Sequence, residues 1–127
     1  MKSTAVVVIM ALALAACSTG PKREDLATKG RALTSEEART LVTSSKISGR
    51  TDGGVAFSMA ATPNGKYSGS ADGGHPFTGT WEQNDKGEMC FQTDGRPSND
   101  PCGKIYVMDG KHYILSTKGQ VRERTFK

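Results

Sequence analysis

Side chains able to do chemistry are sparse in this chain of 127 residues. It has 3 cysteines, Cys17, Cys90 and Cys102, and 2 histidines, His75 and His112. His75 stands in a Gly-Gly-His-Pro turn, while His112 opens an apolar stretch well downstream. A zinc site takes three or four ligands from His, Cys, Asp or Glu. The spacing offers no such cluster, so no metal is expected. Ser68, Ser70 and Thr80 have no base beside them in the sequence, which leaves no activated nucleophile. Asp52, Asp72, Asp85, Asp94 and Asp109 fall in turn-forming stretches, where Asp supports backbone geometry. No G-x-x-x-x-G-K-S/T loop is present to cradle phosphate. The chain therefore reads as non-enzymatic, with no catalytic residue and no cofactor.

The N-terminal residues carry an address. Met1-Lys2 supplies one positive charge, and Ala5–Ala16 is an apolar run of 12 residues. A spanning helix needs about 20 apolar residues, whereas this run has the dimensions of a signal-peptide core. It ends at Leu14-Ala15-Ala16-Cys17, which resembles the lipobox of bacterial lipoproteins. The resemblance implies a signal peptide over 1–16, acyl chains on Cys17, and the membrane as partner through those chains. Two or more chains hold a protein stably at a bilayer. Ser18, in place of Asp, implies by the same resemblance the outer membrane, with the domain facing the periplasm. Residues 17–33 then read as the lipidated cysteine and a flexible tether, broken at Gly20-Pro21 and reaching about 20–25 Å.

The elements that would position any site follow. Thr34 and Glu37 have the S/T-x-x-E spacing of a capping box, predicting a short helix over 34–44 with Ala38, Leu41 and Val42 on one face. Residues 45–127 alternate with period two between Gly-rich turns. They predict strands at 46–51, 54–61, 66–71, 76–83, 87–93, 103–108, 111–117 and 120–126. Turns such as Asp72-Gly73 and Asp109-Gly110 tolerate the positive φ of tight hairpins. Phe77, Gly79 and Trp81 share one face; Thr78 and Thr80 share the other. The fold class is mainly β: an antiparallel up-and-down meander of about eight short strands. It forms a small barrel or a strongly curled sheet plugged by the helix. With 35% hydrophobic residues, 4 Phe, 3 Tyr and 1 Trp, the core is expected to be small, with little material to line a cavity.

With Cys17 lipidated, Cys90 and Cys102 remain, an even number in an oxidising compartment, and they read as a disulfide. Closing about a dozen residues is worth about 3 kcal/mol in the chain-entropy account. Gly79-Thr80-Trp81, Gly87, Cys90, Cys102, Tyr106, Tyr113 and Ile114 resemble small exported proteobacterial domains of unknown function. Those domains pair a G-x-W strand with a Cys…Cys hairpin. Over residues 45–116 the resemblance implies a β-meander in the envelope and no particular activity.

Four residues are candidates for a binding surface: Trp81, Lys104, Arg122 and Arg124. Trp81 reads either as a core keystone packed over Gly79 or as a ligand or partner contact. Arg122 and Arg124 alternate with Val121, Glu123 and Thr125, as on a solvated edge strand. With Lys104, Lys111 and Lys118 they make a basic end suited to an acidic envelope protein or an anionic glycan. A net charge of +4 lacks the concentrated basic face of a nucleic-acid binder, so no nucleic acid is expected. The main functional reading is a lipid-anchored, non-enzymatic cell-envelope lipoprotein that binds a protein or envelope component through its β surface. One alternative is an inhibitor of lysozyme or another hydrolase. Ser68-Gly69-Ser70 and Trp81 resemble the S-G-S and W-x-K-G elements of membrane-bound inhibitors of c-type lysozyme, although here Glu82-Gln83-Asn84 follows the tryptophan. The other alternative is a small lipocalin-like ligand carrier, which requires an internal cavity.

Overall fold

Period-two alternation from Lys46 to Phe126 builds eight antiparallel strands that close on themselves. The computed structural model describes residues 20–127; the signal peptide over 1–16 and the lipobox cysteine Cys17 lie outside the described residues. Ahead of the barrel come α1 (Arg23–Lys29), β1 (Arg31–Ala32) and α2 (Ser35–Ser44). The barrel strands are β2 (Lys46–Arg50), β3 (Ala56–Thr62), β4 (Lys66–Ala71), β5 (His75–Gln83), β6 (Met89–Thr93), β7 (Cys102–Met108), β8 (Lys111–Ser116) and β9 (Val121–Phe126). Each pairs with the next, and β9 returns to β2 through Ile47↔Phe126 and Gly49↔Arg124. The expected meander is a closed barrel, in which each of the eight strands has a neighbour on both sides. Asp72 and Asp109 have φ of 49° and 52°, followed by Gly73 at 76° and Gly110 at 75°. These are the two successive positive φ values of a type I′ hairpin turn.

The capping box predicted for the helix is present. Glu37 N donates to Thr34 Oγ1 at 3.1 Å, and Thr34 N donates to the Glu37 carboxylate at 3.0 Å. Ala38 and Val42 are buried on the inner face of α2. The helix lies across one end of the barrel: Gln83 Nε2 donates to Ser35 O at 2.7 Å, and the Arg39 guanidinium stands 5.1 Å from the centroid of Trp81. Leu33, Val42, Ile47, Met59, Ala61, Trp81, Met89 and Ile105 make one buried core. That core sits under α2 and closes this end of the barrel.

Two features depart from the sequence reading. From Lys22 onward the segment read as a flexible tether is part of the domain. α1 buries Leu26 completely and packs against β7, and β1 pairs Arg31↔Val107 and Ala32↔Tyr106. The physical reason is local: Asp25 accepts from Lys22 N at 2.8 Å, and the one large apolar side chain of the helix, Leu26, finds a buried place. The second feature is that β6 and β7 share only two residue pairs, Met89↔Gly103 and Cys90↔Cys102. This short seam carries the predicted disulfide between Cys90 and Cys102, whose Cα atoms are 4.0 Å apart. The covalent staple thus closes the barrel where its backbone pairing is shortest.

Candidate functional site

The other end of the barrel opens into an interior cavity of about 650 Å³, lined by residues from all eight barrel strands. All four phenylalanines of the chain, Phe57, Phe77, Phe91 and Phe126, line it. Ile47, Met59 and Met89 belong both to its wall and to the buried core. The sequence expectation of too little material for a cavity is therefore overturned. The large apolar residues are few, but strand parity places most of them on one inner face.

The aromatic wall is built around a glycine. Tyr67, Gly79 and Thr93 are consecutive partners across β4, β5 and β6. The Tyr67 ring lies over Gly79, where an added Cβ would fall 2.2 Å from Tyr67 Cζ. Beyond Gly79 the Tyr67 hydroxyl meets Thr93 Oγ1 at 2.7 Å. Tyr67 makes edge-to-face contacts with Phe77 at 6.2 Å and Phe91 at 5.7 Å, and Phe57 meets Phe77 at 6.4 Å. Such geometry suits the ring quadrupoles. Burial pushes the Tyr67 phenol above its ordinary pKa, against the lowering effect of Thr93. Gly79 thus makes room for Tyr67, not for Trp81 as the sequence suggested.

β9 supplies the charge. It runs from the mouth towards α2, and its inward row is Arg122, Arg124 and Phe126. Arg122 donates to both carboxylate oxygens of Asp52 at 3.1 Å, and its Nη2 stands 3.9 Å from Asp100. The hydrogen bond from Arg122 lowers the Asp52 pKa below its usual value. Asp100 is only 9% exposed, and among the described residues its carboxylate oxygens have no hydrogen-bond partner. Arg124 donates through Nη1 to Glu123 O at 2.8 Å and to Arg50 O at 3.2 Å. Its guanidinium lies 5.0 Å from the Phe57 ring centroid. Burial, and then repulsion from Arg122, lowers its pKa to about 10.

The sequence candidates fall into different places. Arg122 and Arg124 do not lie on a solvated edge strand, because β9 is paired on both sides. Nor do they join the lysines in one basic face: Lys111 sits at the β7–β8 turn, ion-paired with Glu123 at 3.8 Å, while Lys118 is in the β8–β9 turn. Lys104 lies on the opposite parity from Gly103 and Ile105, away from the cavity. Trp81 is 5% exposed and donates through Nε1 to Thr62 O at 2.8 Å, so it is a core residue beneath α2. Ser68 and Ser70 are exposed in the middle of β4, and with Trp81 buried they share no surface loop with it. His75 reaches the cavity mouth, whereas the His112 ring packs 5.2 Å from Phe126. Among the described residues no group of three or more His, Cys, Asp or Glu is placed to hold a metal.

Asp52, Tyr67 and Asp100 were not anticipated as site residues. One signal in the sequence pointed inward: Phe126 shares the parity of Arg122 and Arg124, and an apolar residue in that row belongs to a buried face. A scan against protein-family models finds no match, and a search of curated proteins finds none either.

Proposed function

We propose that this is a non-enzymatic cell-envelope lipoprotein, tethered through Cys17, that holds a small amphipathic envelope molecule inside its barrel. The observation that carries the reading is the 650 Å³ cavity with one end sealed and one open. Ligand pockets typically run to about 300–1,000 Å³ and combine apolar walls with a few placed polar groups. Phenylalanines, methionines, Tyr67 and the two arginines supply both kinds of lining. Of the main and alternative expectations, ligand carriage is favoured over binding at the outer β surface. Of the four residues nominated for that surface, Trp81, Arg122 and Arg124 face inward and only Lys104 faces away from the cavity. The membrane anchor and the outer-membrane, periplasm-facing location rest on Leu14-Ala15-Ala16-Cys17 and Ser18.

The test is a fluorescence titration of the full chain with N-phenyl-1-naphthylamine, a neutral apolar probe. One saturable site is expected. Ala71 lines the cavity, so Ala71→Trp should weaken binding by about ten-fold or more by filling the space. A folded wild-type chain that binds no probe, or an Ala71→Trp variant that binds it equally well, contradicts the reading.

A further inference from the structure

Three arginines and three aspartates line the cavity, yet one of the arginines, Arg124, forms no ion pair among the described residues. We infer that the ligand is a single-chain amphiphile with one anionic head, a carboxylate or a phosphate, seated at Arg124. The inference rests on the ligand-carrier reading above and names the class of molecule carried.

Arg122 is already engaged, held by Asp52 at 3.1 Å and flanked by Asp100 at 3.9 Å. The third carboxylate at the mouth, Asp94, accepts from Thr78 Oγ1 at 2.7 Å. His75 and Arg96 also line the mouth, where the positive charge of Arg96 stands two residues along the chain from Asp94. Arg124, two residues deeper, forms no ion pair among the described residues. Its partners are two backbone carbonyls and the face of Phe57, which soften a cation without neutralising it. A partly buried charge gains most from a partner of opposite sign. The seat is shaped for this side chain: a Cβ at Gly49 would fall 2.8 Å from Arg124 Cδ and 2.9 Å from Nη1. Below Arg124 the lining is apolar, through Phe126, Ile47, Met59 and Met89. An anionic head at Arg124 therefore sends its tail towards the floor.

Isothermal titration of the full chain with decanoate, decyl phosphate, decanol and decyltrimethylammonium separates the outcomes. Decanoate or decyl phosphate should bind one per chain, at least about ten-fold tighter than decanol, as expected for a charge-assisted contact. Whichever anion binds tighter separates a free acid from a phosphate-headed lipid as the source. Arg124→Met should abolish the preference for the anion over decanol, and Arg124→Lys should retain part of it. Equal binding of decanoate and decanol, or a preference for the ammonium, overturns the anionic head and leaves ligand carriage standing. Failure of the folded wild-type chain to bind any of the four overturns both.

Discussion

Tyr67 reaches across the width of a strand to Thr93, and only the missing side chain of Gly79 permits it. An alanine there would meet the Tyr67 ring at 2.2 Å and Gln92 O at 2.3 Å. Gly79→Ala is expected to destabilise the fold by about 1–3 kcal/mol, read as a fall in melting temperature, and to weaken probe binding as the aromatic wall shifts. Trp81→Phe should cost stability without touching the cavity wall, because it leaves Thr62 O without its indole donor. A loss of about 0.5–1.5 kcal/mol is expected for that hydrogen bond, since Thr62 is exposed and water can reach its carbonyl. Glu37 gives a pH prediction. The hydrogen bond from Arg31, then that from the Thr34 amide, lowers its pKa from an ordinary 4.5 to about 2. A carboxylate with a depressed folded-state pKa contributes stability above its unfolded value and loses it as pH falls through the folded one. The melting temperature should therefore drop between about pH 4.5 and 2, and Glu37→Gln should flatten that slope. At this scale the sequence was legible where a motif is local. The Thr34–Glu37 box could be read off directly, whereas the Tyr67–Gly79–Thr93 row depends on three strands lying in register.

Among the elements, the β6–β7 seam and α1 are the places to press. The seam has two residue pairs and one disulfide. Reduction, or Cys90→Ser with Cys102→Ser, should lower stability by about 3 kcal/mol. Unchanged melting after reduction would show that the seam needs no staple. α1 is held by one fully buried side chain, Leu26. Leu26→Ala should cost about 2–5 kcal/mol if α1 is docked, whereas a free tether would tolerate the change. All eight barrel strands could be placed from period-two alternation and Gly-containing turns, and α2 from its capping box. Neither α1 nor β1 could be, for a physical reason. Arg23–Lys29 offers only Leu26 and Ala27 as apolar residues and no amphipathic stripe, and a two-residue strand carries no period.

For the whole molecule, the decisive event is closure. Pairing of β9 with β2 joins residues more than seventy positions apart, and nothing local announces it. Closure turns the row of Arg122, Arg124 and Phe126 from an apparent edge into an inner wall. It also turns a scarcity of apolar residues into a lined cavity. The same parity that put Phe77, Gly79 and Trp81 on one face divides them by depth, with Trp81 in the sealed end and Phe77 in the open one. The consequence is a cup whose floor is core, whose wall is aromatic and whose mouth carries Arg122 held by Asp52 and Asp100. The measurement that bears most directly on this account is native mass spectrometry of the full chain and its Ala71→Trp variant, each purified from the cells that express it. The account predicts one small-molecule adduct per wild-type chain, displaced by decanoate and missing from the variant. An unliganded wild-type chain, or an adduct equally present in both, would contradict it.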